Sequence, residues 1–131
     1  MKPLFQSFIC LISLIIFSLP VISTANIIAT SYTINSGSYY YAPSSLTVNV
    51  GDTVTWFNDA GFHDVNADVN SLNGLSFNNP VSFYLPPVNG PAVIGTYVFT
   101  VPGVYNYDCS IGNHAASGMV GTINVIAANY G

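Results

Sequence analysis

Permanent positive charge is almost missing from this chain: its 131 residues include one Lys or Arg, Lys2, and no Glu, the acids being Asp52, Asp59, Asp64, Asp68 and Asp108. Binding phosphate takes Lys or Arg to displace counterions, so nucleic acids and anionic membranes are poor partners and no nucleic-acid partner is expected. The five aspartates predict a uniformly acidic surface of solvated loop charges, suited to a basic or metal-bearing partner. Other residue types are just as scarce. Cysteine occurs only at 10 and 109, histidine at 63 and 114, and methionine at 1 and 119. No repeat, charge block, low-complexity tract or long amphipathic helical pattern interrupts the rest, and half of the residues are apolar, so the chain has the means to fold.

Met1 and Lys2 precede an almost unbroken apolar run from Leu4 to Leu19 that ends at Pro20, and Ser23 and Ala25 stand two apart beyond it. The pattern is that of a secretory signal peptide cleaved after Ala25, giving a signal at 1–25 and one domain at 26–131. The competing reading is an uncleaved membrane anchor, for which the run is near the lower length limit. Cleavage predicts an exported protein with no stable membrane anchor, in the periplasm or outside the cell, with the thylakoid lumen a third option. It also leaves Cys109 without a partner for an internal disulfide, in a compartment where thiols are normally paired. A lone exported thiol persists when a task such as metal ligation protects it.

Beyond the signal, short alternating runs are separated by Gly, Pro, Asn and Asp, which is an all-β rhythm. Leu46, Val48 and Val50 lead through Gly51-Asp52 to Val54 and Trp56, and the two runs predict a hairpin. A second hairpin is expected where Thr96 to Thr100 and Val104 to Cys109 flank Pro102-Gly103. The Asn- and Pro-rich stretch from Asp64 to Pro91 reads as loop with short edge strands. Seven to eight strands in one domain point to a Greek-key β-sandwich. Side-chain parity places Tyr105, Tyr107 and Cys109 on one inward face, Val104, Asn106 and Asp108 on the other, and Met119, Gly121, Ile123 and Val125 on the inner face of the last strand. Cys109 and Met119 can therefore converge, while Tyr105, Tyr107 and Trp56 read as core.

The run from Tyr107 to Gly121, YDCSIGNHAASGMVG, carries a thiol, an imidazole and a thioether, each separated from the next by four residues. Soft sulfur favours Cu(I) and imidazole suits Cu(II), so a trigonal His₂Cys site with a weak axial Met serves both oxidation states. Such a site needs one more imidazole, and His63 in DAGFHDV supplies it from a distant strand. Singly, an inward Met or a loop His is ordinary packing or polarity. Together, in a predicted sandwich, they point to one copper ion held by His63, Cys109, His114 and Met119.

These residues resemble the cupredoxin family, the group of plastocyanin, azurin, pseudoazurin and the phytocyanins. The resemblance covers nearly the whole predicted domain and includes Tyr41-Ala42-Pro43, LTVNVGDTVTW from Leu46 to Trp56, and GTYVFTVPGVYNYDC from Gly95 to Cys109. It implies that His63 and His114 are the imidazole ligands, Cys109 the thiolate and Met119 the axial sulfur of a type 1 site. Asp64 stands where many plastocyanin-type relatives have Asn. It keeps the acceptor and loses the donor, which predicts that its carboxylate accepts hydrogen bonds from Ser110 and orients the ligands.

The expected function is single-electron transfer by Cu(I)/Cu(II) cycling in a monomer, with a redox protein docking at the His114 face. Gly61, Phe62, Ala115 and Ala116 are the expected docking residues, the small ones leaving the imidazole edge uncovered. An enzyme is not expected, because further copper centres need histidines this chain does not have. Copper storage or delivery is the alternative, disfavoured because delivery sites are exposed and rich in Met or Cys.

Overall fold

A computed structural model describes residues 28–127 continuously, together with 1, 3 and 16–22. The expected signal and its cleavage point thus lie largely outside the described residues. Nine strands follow in order: β1 (Ser31–Gly37), β2 (Tyr40–Ala42), β3 (Ser45–Asn49), β4 (Thr53–Asn58), β5 (Phe62–Asn66), β6 (Tyr84–Asn89), β7 (Ala92–Val98), β8 (Gly103–Asp108) and β9 (Val120–Ile126). They form a four-stranded sheet ordered β2-β1-β4-β7 and a five-stranded sheet ordered β3-β9-β8-β5-β6, and no helix is present among the described residues. The all-β sandwich holds, with one or two strands more than the seven to eight expected. The three-residue β2 is the kind of element that periodicity passes over.

Both expected hairpins are replaced by crossings between sheets. β3 pairs in parallel with β9, while β4 lies in the other sheet between β1 and β7. At the turn, Gly51 has φ +95°, and the Asp52 carboxylate accepts the backbone N–H of Thr30 and of Asn49, each at 2.7 Å. β7 and β8 are likewise in different sheets. The physical reason is shared: a strand that faces its sequence neighbour across a sandwich core shows the same alternation as one that pairs with it. Alternation reports the buried face and leaves the partner open.

The core is where those faces meet. Val54 and Trp56 of β4, Val48 of β3, Tyr105 and Tyr107 of β8, and Ile123 and Val125 of β9 are buried, as is Cys109 just beyond β8. Tyr107 lies directly opposite Gly121 across the β8–β9 ladder, and a Cβ on Gly121 would come within 2.2 Å of the tyrosine ring. The glycine is what lets the ring lie flat against the sheet. Pro86 and Pro87 fall in the edge strand β6, between the residues paired with Val65 and His63, where a register shift interrupts the ladder.

The aspartates depart from expectation. Asp52, Asp64 and Asp108 are buried, and only Asp59 and Asp68 are exposed. Asp108 should face outward by parity, but the segment after β5 folds over it. Its carboxylate accepts Asn66 Nδ2 at 2.9 Å, the Ser71 N–H at 2.7 Å and Ser71 Oγ at 2.9 Å. The surface is therefore sparsely charged instead of uniformly acidic.

Candidate metal centre

His63 comes from β5, whose pairing with β6 shifts register between His63 and Val65. A bulge there breaks the in–out alternation and turns His63, Asp64 and Val65 all inward. The approach to β5 is equally constrained. Fully buried Asn58 donates through Nδ2 to the carbonyls of Gly61 at 2.8 Å and Val88 at 3.0 Å. Gly61 has φ +84°, and a Cβ there would stand 2.7 Å from His63 Nε2. Only glycine lets the chain pass so close to the ring.

The other side chains come from one loop whose ends are tied together. Cys109 N–H donates to the Met119 carbonyl at 3.1 Å, and Met119 N–H donates to the His114 carbonyl at 3.0 Å. Inside, the His114 N–H reaches the Ile111 carbonyl and the Gly118 N–H the Ala115 carbonyl, both at 3.0 Å, with Gly112 and Gly118 at positive φ. Cys109 and Met119 are fully buried, and His114 is half-buried.

These segments bring His63, Cys109 and His114 together so that one ligand atom of each lies within 4.8 Å of the others. Cys109 Sγ is 3.4 Å from His114 Nδ1 and 3.8 Å from His63 Nδ1, and the two Nδ1 atoms are 3.1 Å apart. A point equidistant from the three lies about 2.0 Å from each, matching metal–imidazole bonds of about 2.0–2.1 Å and slightly short of metal–thiolate bonds of about 2.3 Å, the values for zinc. Burial pushes the Cys109 thiol up to about 11, against backbone hydrogen bonds from Asp64 and Ile111. Burial, then repulsion from His114, pulls the His63 imidazole below its ordinary value, which favours the neutral form with a free lone pair. A soft cation fits this donor set, since it would hold the sulfur as thiolate and separate the converging nitrogens.

Asp64 is fully buried beside the cluster. Its Oδ1 accepts the Ser110 N–H at 2.8 Å, and its Oδ2 accepts the Ser110 hydroxyl. The pair links the residue after the first histidine to the residue after the cysteine, so the two ligand segments cannot move independently. Tyr41 adds a third tie by donating its hydroxyl to the Asp64 carbonyl at 2.6 Å.

Of the residues expected on the outer face, Gly61, Phe62 and Ala116 are exposed, but Ala115 is only 5% exposed. It underlies the loop, because the loop's internal hydrogen bonds turn its methyl inward. Two contributors escaped the sequence. Asn58 gave no signal, since a polar residue at a strand end is ordinarily solvated. Tyr39 sits at the β1–β2 turn with φ 64°, its ring edge-on to His114 at a centroid distance of 5.0 Å. With Ser38, Gly61, Phe62, Ile111 and both histidines it lines a shallow pocket of about 290 Å³ over the centre.

Residues 28–126 match the family model described as copper binding proteins, plastocyanin/azurin family. Plastocyanin of Scenedesmus fuscus is 35% identical over 92 residues, which cover 70% of this chain and 91% of that protein. The chloroplastic plastocyanin of Tetradesmus obliquus is 33% identical, but the chain spans only 61% of its length. Among solved structures, a purple cupredoxin from Nitrosopumilus maritimus is 32% identical with a TM-score of 0.56, the match covering 72% of this chain and 98% of that one. A variant of amicyanin in its reduced state is 27% identical with a TM-score of 0.55, over 73% and 82% of the two chains.

Proposed function

The chain belongs to the plastocyanin/azurin family of copper-binding proteins, and from that premise we propose how its own residues serve electron transfer: His63, Cys109 and His114, with Met119 as a weaker sulfur donor, would hold one copper ion. The protein is a blue-copper electron carrier with one type 1 copper ion. The observation that carries the assignment is the convergence of three ligand atoms, from two sheet-anchored segments, within 4.8 Å. Met119 closes the same hydrogen-bonded loop and is fully buried in the same core.

When bound, copper supplies a one-electron couple between Cu(I) and Cu(II). What the chain contributes is a ligand geometry that barely changes between the two states. Asn58, Gly61 and the Asp64–Ser110 tie hold His63 and Cys109, while the buried Cys109 and Met119 keep water from the sulfur side. His114 is left half-exposed, and its edge is the port through which an electron leaves or enters. The redox partner docks on this face, around Gly61, Phe62 and Ala116, with buried Ala115 supporting the loop from below.

Both histidines are spent on one centre, which leaves none for the further copper sites of an oxidase, so the protein is a carrier and not an enzyme. Copper storage or delivery fits less well, because the ligands are clamped and largely buried where exchange requires access. We read the protein as a monomer exported on the signal at 1–25.

The test is a titration of the mature chain with Cu(II), followed by visible absorption and EPR, beside a Cys109→Ser control. An intense thiolate-to-copper band with narrow hyperfine splitting, absent from the control, is the expected result. A colourless product would overturn the ligand assignment.

A further inference from the structure

We propose that Asp64 lowers the reduction potential of the copper centre: its buried carboxylate biases the couple towards Cu(II), so the carrier gives up its electron more readily than the four ligands alone would make it. The inference rests on the reading of His63, Cys109, His114 and Met119 as copper ligands, and it follows from where the domain keeps its negative charge. Residues 3–131 contain five aspartates and no Lys or Arg. The field inside the sandwich is therefore made by carboxylates, with no fixed cation to offset any of them.

Three of the five are buried, and they differ in what they face. Asp52 accepts the Thr30 and Asn49 N–H groups at the Gly51 turn, beside the Ile126 end of the β3–β9 ladder and about 20 Å by strand rise from Met119. Asp108 precedes Cys109 but points away from it by strand alternation, into the Asn66 and Ser71 donors. Asp64 is turned inward with the ligands. It follows His63, is fully buried, and accepts the N–H and the hydroxyl of Ser110, the residue after Cys109. Both partners are neutral donors, which stabilise a carboxylate charge without cancelling it. Buried beside the ligand cluster, that charge acts over a short path that salt does not enter. Two neutral imidazoles and one thiolate leave the oxidised centre with a single net positive charge and the reduced centre with none. A carboxylate alongside stabilises the first and leaves the second almost unaffected, which lowers the potential. Asn in its place would keep an acceptor for Ser110 and remove the charge.

The test is a spectroelectrochemical titration of the copper-loaded mature chain beside three variants. Asp64→Asn is expected to raise the ratio of Cu(I) to Cu(II) at a fixed applied potential by tenfold or more, a rise in reduction potential of about 59 mV or more, with the thiolate-to-copper band kept. The shift should persist from about 0.01 to 0.5 M salt, because the carboxylate is buried. Asp68→Asn removes the same charge from an exposed position beyond β5 and should change the ratio by less than about twofold. Ser110→Ala withdraws the hydroxyl donor but leaves the charge, so it should not raise the potential. The inference is overturned by an unchanged potential in Asp64→Asn, by an equal rise in Asp68→Asn, or by a rise in Ser110→Ala. The last result would show that the link between the ligand segments governs the couple, and it decides the matter even if Asp64→Asn loses its copper. A wild-type chain without the thiolate-to-copper band would instead sink the ligand reading itself, before any variant is compared.

Discussion

His63 and His114 offer the same imidazole nitrogen to the same point, 3.1 Å apart, yet the chain treats them in opposite ways. His63 is buried in a bulged strand, its Nε2 crowded by the Gly61 backbone and its neighbours fixed by Asn58 and Asp64. His114 sits in a loop held by its own backbone bonds, with open space around Gly112 and Gly118 and Tyr39 edge-on to its ring. One histidine belongs to the sandwich and sets the geometry. The other belongs to the surface and gives access. A carrier needs both, because rigidity limits how far the ligands must move on redox change, while exposure limits how near a partner can come.

The contrast can be broken most severely at Gly61. Gly61→Ala forces a Cβ against His63 and strains a left-handed backbone, so a loss of about 3 kcal/mol in urea unfolding of the copper-free protein is expected, with a displaced visible band after loading. Asn58→Ala comes next. It strips the donor from two carbonyls in the interior and should cost about 2 kcal/mol in the same assay, with weaker copper retention against a chelator. Asp64→Ala removes the carboxylate that ties the His63 segment to Ser110, and a loss of about 1–2 kcal/mol with broadened copper EPR lines is the expected result. Gly112→Ala sharpens the comparison from the other side. Nothing lies within 4 Å of its Cβ position, so only the positive φ is felt, at about 1 kcal/mol, and the spectrum should stay unchanged. If Gly112→Ala disturbed the copper band as much as Gly61→Ala, the division into a clamped and an accessible histidine would fail.

Much of the fold was legible because its signals are local. Alternation marked Val54, Trp56, Tyr105, Tyr107, Ile123 and Val125 as inward, and all are buried. The family resemblance and the copper chemistry were legible for a different reason: the chain has so few Cys, His and Met residues that their spacing stands out. Ala115 was misread because a small residue in a loop gives no hint of which way its methyl turns. Asp52 and Asp108 were misread because a carboxylate is buried only when distant donors, here Thr30 N–H and the Ser71 pair, meet it there.

By itself, then, the amino-acid sequence determined the all-β class, the buried face of each main strand and the small set of residues able to bind copper, since these depend on neighbours a few positions away. Only the tertiary structure decided that β3 and β4 part to opposite sheets, that a bulge turns both His63 and Asp64 inward, and that Tyr39 stands over His114. Pairing, burial of charge and the shape of the exposed face arise from contacts between segments far apart in the chain, and no local pattern encodes which segment will arrive.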